Sequence, residues 1–145
     1  PAPPVFEVSA KQERDAIFTR FFEPMAGDKQ RTLYSLDPNY EAAKTASERF
    51  SGWAVLGKVD LSEADAKTAL DQLWADVEGG RSMAMCFQPR HGLTSEGGLQ
   101  IVICFECAQA QFREDGAQTE TLAIGSSSLE TLNTLLRAQN IPIAD

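Results

Sequence analysis

The chain is poor in the side chains that announce an enzyme or a membrane protein. Its 145 residues include one histidine, three cysteines and two tryptophans. No stretch approaches the ~18 consecutive apolar residues of a membrane-spanning helix. No apolar run is longer than Ile101–Phe105, which has the length of a buried strand. Positive charge is scarce: 13 basic residues stand against 21 acidic ones, a net of -8. Such a chain repels phosphate backbones, so nucleic acid is not an expected partner, whereas a protein with a basic surface is. Internal repeats, low-complexity tracts and linkers are missing too, and no complete catalytic or cofactor motif is present, which argues against an enzyme. A single domain is expected, long enough to bury roughly two-thirds of the surface its unfolded form exposes.

The start, Pro1-Ala2-Pro3-Pro4, has no methionine and no signal peptide. It reads as an extended lead over residues 1–8, ahead of one domain over 9–145. A lead of this kind fits a form trimmed after export, or a tether behind a lipidation site in the precursor. Three cysteines in a domain this size fit an oxidising compartment. The expected location is the periplasm or cell surface.

Periodicity gives the elements. Ser9 and Gln12 have the spacing of a capping box, and Ile17, Phe18, Phe21 and Phe22 form one apolar helical face that Pro24 is expected to close. Arg31–Leu36 reads as a strand, Tyr40–Phe50 as a short helix, and 52–61 as a strand with bulges at its glycines. Ser62 starts the clearest helix, with Glu63 and Asp65 in its first turn and a stripe of Ala66, Leu70, Leu73, Trp74 and Val77, ended by Gly79-Gly80. A hairpin is expected next, with arms over 82–88 and 99–112 and a turn at Thr94–Gly98. Glu120–Ile124 reads as a further strand. Ser127 with Glu130 has the spacing of a second capping box, before a helix with Leu129, Leu132, Leu135 and Leu136 on one face. Asn140 and Pro142 end it. The fold class is therefore α+β, an antiparallel sheet packed against helices.

All three cysteines and the histidine fall between residues 86 and 107. In an unbroken strand Cys104 and Cys107 point to opposite faces with Cα atoms about 10 Å apart, too far for a disulfide. Cys86, on the facing arm, lies opposite Cys107, or opposite Cys104 after a small change of register. A disulfide from Cys86 to either would staple the hairpin. Two alternatives stay open. Cys86, His91, Cys104 and Cys107 are a Cys₃His inventory for zinc, and soft thiolates also suit copper(I). Cys104 facing His91 would make a thiol–imidazole pair. Arg90, after the strand-breaking Pro89, is a brace to loop carbonyls or to a carboxylate such as Glu106, or else an exposed fork for an anion. Glu106, Glu114 and Asp115 read as solvated charge.

The string Cys86-Phe87-x-Pro89-Arg90-His91-Gly92, followed by Ile103-Cys104-Phe105-x-Cys107, resembles a family of uncharacterised bacterial proteins, many of them exported or lipoprotein-like. The resemblance is best in the hairpin. It extends loosely to Trp53–Lys58 and to the last helix. It implies an envelope location and importance for the three cysteines, and no reaction. The function expected from the whole is non-catalytic binding or inhibition by an exported domain, with a thiol- or metal-dependent protein as the alternative.

Overall fold

A computed structural model describes residues 5–115 and 119–145. Residues 1–4 of the expected extended lead lie outside it. The rest of that lead is helical: α1 spans Val5–Ile17, so Ser9 falls inside the helix instead of capping it. The helical path continues through a π turn, Phe18–Phe22, into α2, Glu23–Gly27. Pro24 does not end it. The Glu23 amide reaches back five residues to the Phe18 carbonyl, and Pro24 occupies the first turn of the next α segment, where a missing N–H costs nothing. Phe21, Phe22 and Ile17 are buried, as the spacing predicts.

Seven antiparallel strands form one sheet among the described residues, in the order β2-β3-β1-β4-β5-β6-β7. They are β1 (Arg31–Asp37), β2 (Arg49–Phe50), β3 (Trp53–Asp60), β4 (His91–Ser95), β5 (Gln100–Cys104), β6 (Gln109–Arg113) and β7 (Glu120–Ala123). The domain is α+β. A bulge on β3 leaves Leu56 unpaired beside Gly57, since Ser35 pairs with Gly57 and Leu36 with Val55. In place of a helix over 40–50 there is a 3₁₀ turn, Tyr40–Lys44, and the short β2. The thin apolar face of that stretch gives a longer helix nothing to bury.

Helix α3, Glu63–Gly79, follows the sequence closely: the Ser62 hydroxyl accepts the Asp65 amide at 3.1 Å, and Ala66, Leu70, Leu73 and Val77 are buried. Trp74 packs edge-on to Phe22, with ring centroids 5.2 Å apart. Helix α4, Leu129–Arg137, buries Leu132 and Leu136. Its start differs from the capping box expected at Ser127. No side chain of its own caps it. The buried Asp76 carboxylate of α3 accepts the amides of Ser127 at 2.6 Å and Ser128 at 2.9 Å, together with both hydroxyls. At its far end Asn140 takes φ +58°, and the Ile141 amide bonds the Leu136 carbonyl while Asn140 bonds that of Arg137. This is a Schellman stop.

Side-chain alternation divides the core in two. Leu33, Leu93, Ile101, Ile103, Ala110, Phe112 and Leu122 meet the helices. Leu36, Phe50 and Val102 form a smaller cluster with Tyr34, Trp53, Val55 and Phe87. Each large apolar side chain so buried contributes about 1.5–3 kcal/mol. β5 is buried from Ile101 to Cys104 because it has cover on both faces.

Candidate functional site

The hairpin is shorter than its sequence pattern implies. Thr94 pairs with Gln100, and Gly98, at φ +85°, supplies the left-handed residue of the turn. The first arm is β4, beginning at His91. Residues 82–88 are not a strand: Pro89 has no N–H for the ladder, and pairing starts beyond it. The second arm breaks after Cys104. A turn over 105–108, with Ala108 at φ +56°, reverses the chain into β6.

That turn decides the cysteine chemistry. Cys86 and Cys107 form a disulfide with Cα atoms 5.7 Å apart. Cys104 is a buried free thiol. Its sulfur accepts the amides of Cys107 at 3.2 Å and Gln88 at 3.4 Å. The irregular 81–90 segment is held at further points. The Ala84 amide donates to the Cys107 carbonyl at 2.9 Å. The Gln109 side chain donates to the carbonyls of Ala84, at 2.9 Å, and Cys86. Gln109 carried no signal in the sequence beyond its place in a strand.

His91 belongs to the other face. It pairs with Ile103, which lies on the helix side, whereas Cys104 alternates onto the Val102 side. The sheet therefore separates His91 from Cys104, and the thiol–imidazole pair that the sequence left open as an alternative does not form. The Cys₃His set is not assembled either: two of its sulfurs are joined to each other, and no group of three or more His, Cys, Asp or Glu among the described residues is arranged to hold a metal ion.

His91 Nε2 donates to Asn133 Oδ1 on α4 at 2.7 Å, so the neutral ring carries its proton there. Nδ1 is buried without a partner among the described residues. Burial holds this imidazole below its ordinary 6.5; the bond to Asn133 opposes that, and the Arg90 guanidinium reinforces it. Phe105 stands edge-on to the ring at 5.4 Å.

Arg90 braces the loop. It donates to Glu106 at 2.9 Å, to the Gln88 carbonyl at 3.3 Å and through Nε to the Asp145 main-chain oxygen at 3.0 Å. With its donors engaged this way it is no open fork for an anion. Glu114 is engaged as well, by Arg20 at 2.7 Å. Arg90 also separates two hollows. One, of about 290 Å³, is bordered by His91, Phe105, Glu106 and Leu129. The other is an open groove of about 580 Å³ bordered by Pro38, Asn39, Tyr40, Trp53 and Phe87. In that groove Tyr40 meets Trp53 edge-on at 5.9 Å, and Trp53 meets Phe87 likewise at 6.1 Å. Tyr40 is 69% exposed, and Met85, on the stapled segment, is wholly exposed. The sequence offered no way to see this row, whose members come from three separated segments.

Comparison of the chain with protein-family models, with curated proteins and with solved structures finds no match.

Proposed function

We propose that this is a non-catalytic binding domain of an oxidising, extracytoplasmic compartment, and that it docks a protein with a basic surface on the Tyr40–Trp53–Phe87 groove. The observation that carries the reading is the row of three edge-on aromatics ending in the exposed Tyr40. Rigid aromatics at a surface are the groups that dominate binding energy at protein interfaces. Asp37 and Glu41 flank the Pro38–Tyr40 stretch in sequence, in a chain of net charge -8, which favours a basic rim on the partner and speeds association. The disulfide supports an oxidising location and pins the segment that carries Phe87 and Met85.

The test compares wild-type protein with Tyr40→Ala and Trp53→Ala in crosslinked capture from envelope extract, at low and high salt. A partner retained by wild type, weakened by salt and reduced about tenfold by Tyr40→Ala supports the proposal. A partner held equally by both variants overturns it.

A thiol-dependent activity is the second reading, favoured by the contact of the Cys104 sulfur with the Cys107 amide. It requires Cys104→Ser to abolish an activity that Tyr40→Ala leaves intact.

A further inference from the structure

A cavity of about 510 Å³ lies where the end of α2 approaches the start of α3, bordered by Ala26, Arg31, Glu63, Ala64, Leu70 and the Lys67–Asp71 pair. Its volume is in the range of small-molecule sites. Arg31 is 2% exposed, the largest fully buried side chain of the described residues. A buried guanidinium needs most of its donors satisfied, and this one is satisfied unevenly. Nη1 is spent on main-chain carbonyls: Met25 at 3.3 Å, Ala26 at 3.1 Å and Asp28. Nη2 meets Glu63 at an ion-pair distance of 3.0 Å and no other group among the described residues. Nε has no partner among the described residues.

The pattern has a chemical meaning. In a guanidinium, the Nε–H and one Nη2–H point the same way and form the side-on edge that a carboxylate takes with two parallel hydrogen bonds. In Arg31 that edge is half used. The group using it, Glu63, has a side chain that is 81% exposed, so it can turn out to water at little cost. Beyond it the cavity presents the methyl groups of Ala26 and Ala64 and the side chain of Leu70, while the Lys67 ammonium at its border is paired with Asp71 at 2.7 Å, which leaves Arg31 as the cation available to a ligand.

We propose that this cavity binds a small monocarboxylate with a short apolar tail. The ligand carboxylate takes the Nε–Nη2 edge of Arg31 in place of Glu63, and the tail lies along Ala26, Ala64 and Leu70. The site is separate from the aromatic groove, and either can fail without the other.

The experiment titrates octanoate into ¹⁵N-labelled protein and follows amide shifts, with octanol and inorganic phosphate as controls. Because Arg31 also joins α2 to α3, the variants are placed on exposed neighbours, Glu63→Gln and Ala64→Trp, with their melting checked first. Expected are saturable shifts at Ala26, Ala64 and Leu70 with octanoate, and at least about tenfold weaker binding of octanol. Glu63→Gln tightens octanoate roughly two- to fivefold by removing the competing carboxylate, and Ala64→Trp abolishes the shifts by filling the cavity. Equal binding of octanol, equal binding of phosphate, no saturable shift, or indifference to both substitutions each overturns the proposal.

Discussion

The Cys107 amide donates to the Cys104 sulfur at 3.2 Å, so the free thiol is folded into the same turn that carries half of the disulfide. The two sulfurs of this Cys-x-x-Cys stretch have different work. Cys107 ties the 81–90 segment to the sheet, and Cys104 terminates two main-chain donors in the core. Thiol counting is expected to find no reactive thiol in the native protein and one after denaturation. Reduction, or Cys86→Ser with Cys107→Ser, opens a covalent loop with a sequence separation of 21 and is expected to cost about 3 kcal/mol in denaturant unfolding. Cys104→Ser keeps an acceptor for both amides, whereas Cys104→Ala strands them. The alanine variant should be less stable than the serine variant by about 1 kcal/mol or more.

Asp76 holds the start of α4 from another helix, accepting both amides and both hydroxyls of Ser127 and Ser128. Removing it leaves four donors without their acceptor in a largely buried place. Asp76→Ala is expected to cost about 3 kcal/mol or more. Ser127→Ala, which deletes one hydroxyl and keeps the amide bonds, should cost about 1 kcal/mol. Thermal or denaturant unfolding measures both. Equal effects would mean that the carboxylate does not act as the shared cap.

The contrast between these two features shows what a sequence carries. Local signals were legible: Ser62 before an amphipathic run gave α3, Asn140 before Pro142 gave the end of α4, and alternation gave the sheet. The cap of α4 was not, because Ser127 has the spacing for a local box while its actual partner lies 51 residues away. The candidate site was legible in part for the same reason. A Cys86 disulfide followed from the local hairpin pattern, though 82–88 reaches Cys107 as a tethered loop and not as a strand. The separation of His91 from Cys104 depended on where Pro89 ended pairing, a shift that decides which face each side chain takes. The aromatic groove and the Arg31 cavity join distant segments, and nothing local encodes either.

His91 makes stability depend on pH. Its imidazole is held below 6.5 in the folded protein by burial, while in the unfolded chain it titrates at its ordinary value. Between those two values the unfolded state binds the extra proton. Stability is therefore full above 6.5, falls as pH drops through the window, and levels off below the folded value as far as this group is concerned. Melting temperature should fall between pH 7.5 and 5.5 in wild type. In His91→Gln, which keeps a donor for Asn133, that slope should shrink, whatever the variant's stability at pH 7.5. An undiminished slope would assign the dependence to other groups.

Gly79 and Gly80 look interchangeable as a helix stop, yet the structure gives them opposite tolerances. A Cβ on Gly79 would meet nothing within 4 Å, whereas one on Gly80 would lie 2.0 Å from the Ala123 carbonyl oxygen. That carbonyl belongs to the end of β7, where the Gly125 amide also returns to the Asp76 carbonyl at 2.8 Å. Gly80 is therefore the point where the chain leaving α3 slides under the last strand, and backbone on both sides leaves no flexible neighbour to yield. Gly79→Ala replaces a poor helix former in the last position of α3 and is expected to stabilise by up to about 1 kcal/mol. Gly80→Ala must push the α3 exit away from β7 and strain the Asp76 cap beside it, at a cost of about 1–3 kcal/mol or more. Denaturant unfolding of the two single variants separates a conformational role, which would make both substitutions mild, from close approach, which makes only the second one costly.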